Sequence, residues 1–75
     1  MMIGATEVVD GNGKVIATST NANLESGSLF LDFTGRTVPA GVKKGDKYTL
    51  KAGNKKSYKG TCQYKEAGGI MFDVR

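Results

Sequence analysis

The sequence predicts an all-β protein: a small single-domain β-barrel or highly twisted antiparallel sheet of about five strands, ending in a three-stranded meander. Three observations lead there. Eleven glycines in 75 residues punctuate short apolar runs. Those runs are rich in Thr, Val and Tyr and alternate at period two. No segment carries the 3.6-residue apolar period over three turns, so no helix is predicted. Short strands of this kind close or twist economically, because that removes exposed edges.

Taken in order, "TEVVDGNGKVIATST" reads as a hairpin. Thr6–Val9 and Lys14–Ser19 are its strands, and Asp10-Gly11-Asn12-Gly13 supplies turn residues that tolerate positive φ. "TNANLESGS" (Thr20–Ser28) is polar and small, and reads as a loop with at most one helical turn around Ala22–Glu25. "SLFLDF" (Ser28–Phe33) alternates, with Leu29, Leu31 and Phe33 on the core face and Phe30 and Asp32 opposite. A long connection follows, holding the single proline, Pro39, and a Gly45-Asp46 turn. The meander is then "KYTLKA" (Lys47–Ala52), "SYKGTCQYK" (Ser57–Lys65) and "IMFDV" (Ile70–Val74). Its turns are Gly53-Asn54-Lys55-Lys56 and Glu66-Ala67-Gly68-Gly69.

The period-two rule assigns faces to the meander. Tyr48, Leu50, Tyr58, Gly60, Cys62, Tyr64, Ile70, Phe72 and Val74 point inward. Lys47, Lys51, Lys59 and Lys65 point outward, with Lys55 and Lys56 in the turn between strands. Rings and ammonium groups are thus separated. A binder of single-stranded nucleic acid needs both on one surface, so that bases stack while phosphates are neutralised. The predicted lysine face is at most a phosphate-contact surface. Exposed lysines also protect sheet edges and keep a small protein in solution, a second explanation for the same residues.

Composition narrows the chemistry. One domain spanning residues 1–75 has a thin core. The chain has no histidine, which excludes Ser-His and Cys-His nucleophile pairs and histidine-bearing zinc sites. One cysteine, Cys62, excludes an internal disulfide and a four-cysteine metal site. "DGNGKV" begins like a calcium loop, but Val15 stands where the bend glycine is needed and Asn21 where the bidentate acid is needed. "GNGK" lacks the upstream glycine and the following Ser or Thr of a phosphate loop. The carboxylates Asp10, Asp32, Asp46, Glu66 and Asp73 fall singly in turns or on the outer face, not as a facing pair. The expectation is a protein without catalytic activity and without a metal or other cofactor.

The order "NLESGSLFL", "VKKGDKYTLK", "YKGTCQYKEAGGIMFDV", over roughly residues 23–74, resembles the strand order of PilZ domains, which bind cyclic di-GMP. The Arg-x-x-x-Arg segment of that family is missing, since no arginine precedes Arg36. So is its Asp/Asn-x-Ser-x-x-Gly turn, because Asn23 is followed two places on by Glu25. The resemblance implies a shared small-barrel layout, and the ligand is not carried over.

Charge is uneven. Residues 1–35 carry one lysine against four acids, a net of −3, and residues 36–75 carry ten basic residues against three acids, a net of +7. Such asymmetry is a prior for an anionic partner. The resulting expectation is a binding module that docks on a larger protein with an acidic surface, through the basic strand face or a strand edge. It would act as an inhibitor, adaptor or assembly component, as phage accessory proteins of this size do. Phe30, Lys51, Lys55, Lys56, Lys59 and Lys65 are the candidate contacts, with Phe30 as apolar anchor. The alternative is binding to nucleic-acid backbone through the same lysines together with Lys43 and Lys44. The start "MMIGATEVVD" lacks the basic and apolar regions of a secretory leader, and no apolar run approaches membrane length, so a cytoplasmic setting is expected.

Overall fold

Seven antiparallel strands form a single sheet in the computed structural model, which describes all residues from Met1 to Arg75. They are β1 (Thr6–Val9), β2 (Val15–Thr18), β3 (Asn21–Glu25), β4 (Ser28–Asp32), β5 (Lys47–Ala52), β6 (Ser57–Glu66) and β7 (Gly69–Asp73). The order across the sheet is β2-β1-β5-β6-β7-β4-β3. The all-β expectation holds, with more strands than the five expected. No helix is long and apolar enough to cross a membrane.

The strand with no counterpart among the segments read as strands is β3, where a loop was expected. Ala22 and Leu24 point inward from it, and Asn21, Asn23 and Glu25 alternate outward, a half-buried strand written mostly in polar residues. It is joined to β4 by the two residues Ser26 and Gly27, with φ of 47° and 81°. Positive φ at both central positions is the type I′ geometry that matches strand twist. In the first hairpin Asp10 organises the turn: its Oδ1 accepts from the Asn12 and Lys14 amides, both at 2.9 Å.

The ladder does not close into a barrel, since β2 and β3 remain its two ends. Only Ser19 and Thr20 separate these strands in the chain, so the ends meet at a corner. Buried Ser19 fixes that corner, donating its amide to the Thr6 carbonyl at 2.8 Å and accepting the Thr6 amide on Oγ at 3.0 Å. The residues leading into β1 then lie along β3. Met2 forms a bridge with Asn23, the Ile3 amide donates to the Ala22 carbonyl, and the Leu24 amide donates to the Met1 carbonyl. This tether satisfies much of the edge of β3 and leaves β2, only four residues long, as the short open edge.

The core follows the alternation. Val8, Leu29, Leu31, Leu50, Ile70 and Phe72 are fully buried, and Phe33 and Cys62 almost so. Tyr48 packs edge-on against Phe72 with ring centroids 6.0 Å apart. The connection between β4 and β5 contributes Val42 to the same core. Its path is fixed by the Tyr48 hydroxyl, which accepts from the Lys43 amide at 2.8 Å and donates to the Gly41 carbonyl at 3.4 Å. The other two tyrosines divide. Tyr58 is partly buried against the core as expected, whereas Tyr64 is 43% exposed on the outer face. The cause is a β-bulge: Cys62 pairs with Phe72 and Tyr64 with Met71, so Gln63 is an extra residue and every side chain beyond it changes face.

Candidate functional site

Cross-strand register divides the outer surface into two parts. The first is the lysine face of the β5–β6 hairpin. Lys47, Thr49 and Lys51 lie outward on β5, opposite Thr61, Lys59 and Ser57 on β6. Lys55 and Lys56 occupy the turn, where the Ala52 amide donates to the Lys56 carbonyl and Lys55 takes a φ of 71°. Five exposed lysines are therefore gathered on one hairpin. Lys59 donates to the Thr49 hydroxyl at 2.8 Å, and no ion pair is made by any of the five. The one carboxylate directly across from them is Glu7, opposite Lys51. Lys47 and Lys59 line two hollows in this face, of about 100 and 300 Å³, the larger also reached by Asp73 and Arg75.

Lys65, expected on the same face, is not there. It lies beyond the bulge, and its ammonium reaches to the rim, donating to the Pro39 carbonyl at 2.8 Å. Along β6 it is some six residues from Lys59, on the order of 20 Å of strand. With Arg36, Val38 and Glu66 it borders an open hollow of about 500 Å³.

The second part is a row that runs straight across five chain segments. Met2 is opposite Asn23, Asn23 opposite Phe30, Phe30 opposite Met71, and Met71 opposite Tyr64. At about 4.8 Å per strand the row spans roughly 19 Å. Met2 is 60% exposed, and Phe30 and Met71 are half-buried. The Phe30 ring lies flat enough on the sheet that a Cβ at Gly69 would overlap it. Phe30 is thus on the outer face, as expected. It is half-buried, in register with Asn23 and Met71, and is kept apart from the lysines.

Both neighbouring rows carry acids. On one side Asn21, Asp32, Gly69 and Glu66 are in register. On the other are Glu25, Ser28, Asp73 and Thr61, running on to Lys47. Asp32 is held below the ordinary carboxylate range by hydrogen bonds from the Thr34 hydroxyl and amide. Asp73 is held low by the Arg75 amide and then by its side chain. The Met1 amine donates to Asn23 Oδ1, the Leu24 carbonyl and Glu25 Oε1 at 2.7, 3.0 and 3.0 Å.

Other chemistry is sparse. Burial pushes the Cys62 thiol up, which keeps it a packing residue rather than a nucleophile. No three of the Cys, Asp and Glu side chains are gathered closely enough to hold a metal ion. No protein-family model matches the chain, and neither a curated protein nor a solved structure matches it.

Proposed function

We propose that this protein is a non-enzymatic binding module of the cytoplasm that docks on a larger protein through the lysine face of its β5–β6 hairpin. One observation carries the reading: Lys47, Lys51, Lys55, Lys56 and Lys59 gather on one hairpin, and none of them makes an ion pair with a carboxylate. Such a face favours an acidic surface. Long-range attraction speeds the encounter, and like charges reject wrong partners. Inhibitor, adaptor and assembly roles, including those of phage accessory proteins, require nothing more than such a contact.

The separation of rings from lysines favours protein over nucleic acid. Tyr48 and Tyr58 turn inward beneath the lysines, and the outward aromatic groups, Phe30 and Tyr64, are flanked by carboxylates that repel phosphate. Backbone-only contact through the lysines is the alternative. Two measurements decide between them. Affinity capture from nuclease-treated extract of the source cells, with wild-type and Lys55→Glu/Lys56→Glu baits side by side, is expected to retain a protein on the first and lose it on the second. Fluorescence anisotropy with labelled DNA and RNA is expected to stay flat at low salt. Saturable nucleic-acid binding with a steep salt dependence would overturn the protein reading.

A further inference from the structure

The two parts of the outer surface are complementary to each other, and they lie on the same chain. We infer that a second copy of this protein docks its lysine hairpin onto the apolar row Met2–Phe30–Met71–Tyr64 of the first. The row offers exposed Met2 and Tyr64 at its ends, half-buried Phe30 and Met71 between them, and carboxylates on both flanks: Asp32 and Glu66 on one side, Glu25 and Asp73 on the other. Only Glu25 and Asp73 have cationic partners, the Met1 amine and Arg75. Arg36 and Lys65 come near Glu66 around the hollow they share, but Lys65 is bound to the Pro39 carbonyl and Arg36 lies over the Phe33 ring at 5.8 Å.

A lysine side chain suits this pattern. Its four-carbon stem covers apolar surface while its ammonium reaches a nearby carboxylate. Over Tyr64 it also gains from the negative face of the ring. Five such side chains stand without an ion-pair partner on the hairpin of every copy, Lys59 alone among them held by a hydroxyl, that of Thr49. The row and the lysines are different patches of one chain, so the contact is head-to-tail. Repeated, it gives a ring if the rotation closes and an open chain of copies if it does not.

This inference rests on the lysine face being a protein-docking surface, and adds a second occupant that competes with an acidic partner. The experiment is sedimentation velocity over increasing protein concentration at low and high salt, with the wild type, two variants and an equimolar mixture of the variants. Met2→Lys/Glu66→Lys alters one end of the row and one carboxylate on its flank, both exposed. Lys56→Glu/Lys59→Glu alters the hairpin. Circular dichroism checks that each keeps the wild-type fold. For the wild type, mass is expected to rise from one 7.9 kDa chain toward and past that of a dimer as concentration increases, and to fall back with salt. Each variant alone is expected to stay monomeric, and an equimolar mixture to associate, because each supplies the face the other lacks. Wild-type protein that is monomeric throughout would overturn the inference. So would a hairpin variant that still self-associates, since a row-to-row dimer needs no lysines. Wild type that stays monomeric yet still captures an acidic partner marks failure of this inference alone, whereas wild type that captures none marks failure of the docking reading.

Discussion

The position of Phe30 can be tested by a double-mutant cycle with Gly69, whose outcome is set by one overlap. A Cβ on Gly69 would come within 2.7 and 2.9 Å of the two Cε atoms of the Phe30 ring, closer than unbonded carbons allow. The ring is the far end of a side chain with two rotatable bonds, so Gly69→Ala swings it off the sheet. The cost is bounded by what its packing contributes. Full burial of a phenylalanine is worth about 1.5–3 kcal/mol, so a half-buried ring contributes roughly 1 kcal/mol. Replacing a strand glycine by alanine returns about 0.5–1 kcal/mol. Gly69→Ala in the wild type should therefore be close to neutral.

In a Phe30→Ala background the obstruction is gone. Phe30→Ala alone should cost roughly 1 kcal/mol, and adding Gly69→Ala should then restore about 0.5–1 kcal/mol. The expected coupling is about 1 kcal/mol, above the ~0.3–0.5 kcal/mol within which independent sites add. Urea denaturation of the four proteins measures it. With an m-value near 1 kcal/mol/M for so small a domain, the coupling corresponds to about 1 M in midpoint. Additivity would mean that the ring does not lie over Gly69, and the row from Met2 to Tyr64 would lose its centre.

Two further outcomes follow from the core. At Gly60 a Cβ would meet Leu50 Cδ1 at 2.8 Å, Phe72 Cβ at 3.1 Å and Val74 Cγ1 at 3.2 Å. Overpacking of about 1–3 kcal/mol then outweighs the strand gain, and Gly60→Ala should lower the urea midpoint while Gly11→Ala, with open space around its Cβ, leaves it unchanged. Equal effects would refute the close packing. Burial raises the folded-state pKa of Cys62 above its unfolded value, so its contribution is present below the unfolded thiol pKa and lost as pH rises through the folded one. The stability advantage of wild type over Cys62→Ala should shrink above about pH 8.5, and a gap that stays constant from neutral to alkaline pH would contradict it.

Much of the framework was legible because its strands are written in apolar alternation. Thr6–Val9 and Lys47–Ala52 fall at the expected bounds, Ser57–Glu66 runs one residue longer than expected, and Gly69–Asp73 is shifted by one residue at both ends. β3 was missed because Asn21, Asn23 and Glu25 outnumber its two inward apolar residues, Ala22 and Leu24. The Ser26-Gly27 pair between two alternating runs was the available signal, since Ser-Gly marks a tight turn. The tether of Met1–Ile3 to β3 carries no local pattern at all. Of the proposed contact residues, Lys51, Lys55, Lys56 and Lys59 were brought together as expected, because hairpin register follows from the turn between them. Lys65 and Phe30 lie elsewhere.

The bulge at Gln63 accounts for the largest error and for the apolar row itself. Counting alternate residues from Cys62 places Tyr64 indoors, in a core that Ile70, Val42, Tyr48 and Phe72 already fill. A further phenol there would overpack the core and bury a hydroxyl that needs a partner. One extra residue on β6 resolves both conflicts: Tyr64 turns outward beside Met71, and Lys65 is delivered to the rim, where it finds the Pro39 carbonyl. The constraint that sets the surface is thus interior volume, which no local stretch of sequence encodes. The same step that spares the core places an exposed ring in line with Phe30 and Met71, so the docking row is a consequence of how β6 and β7 pack rather than of a motif.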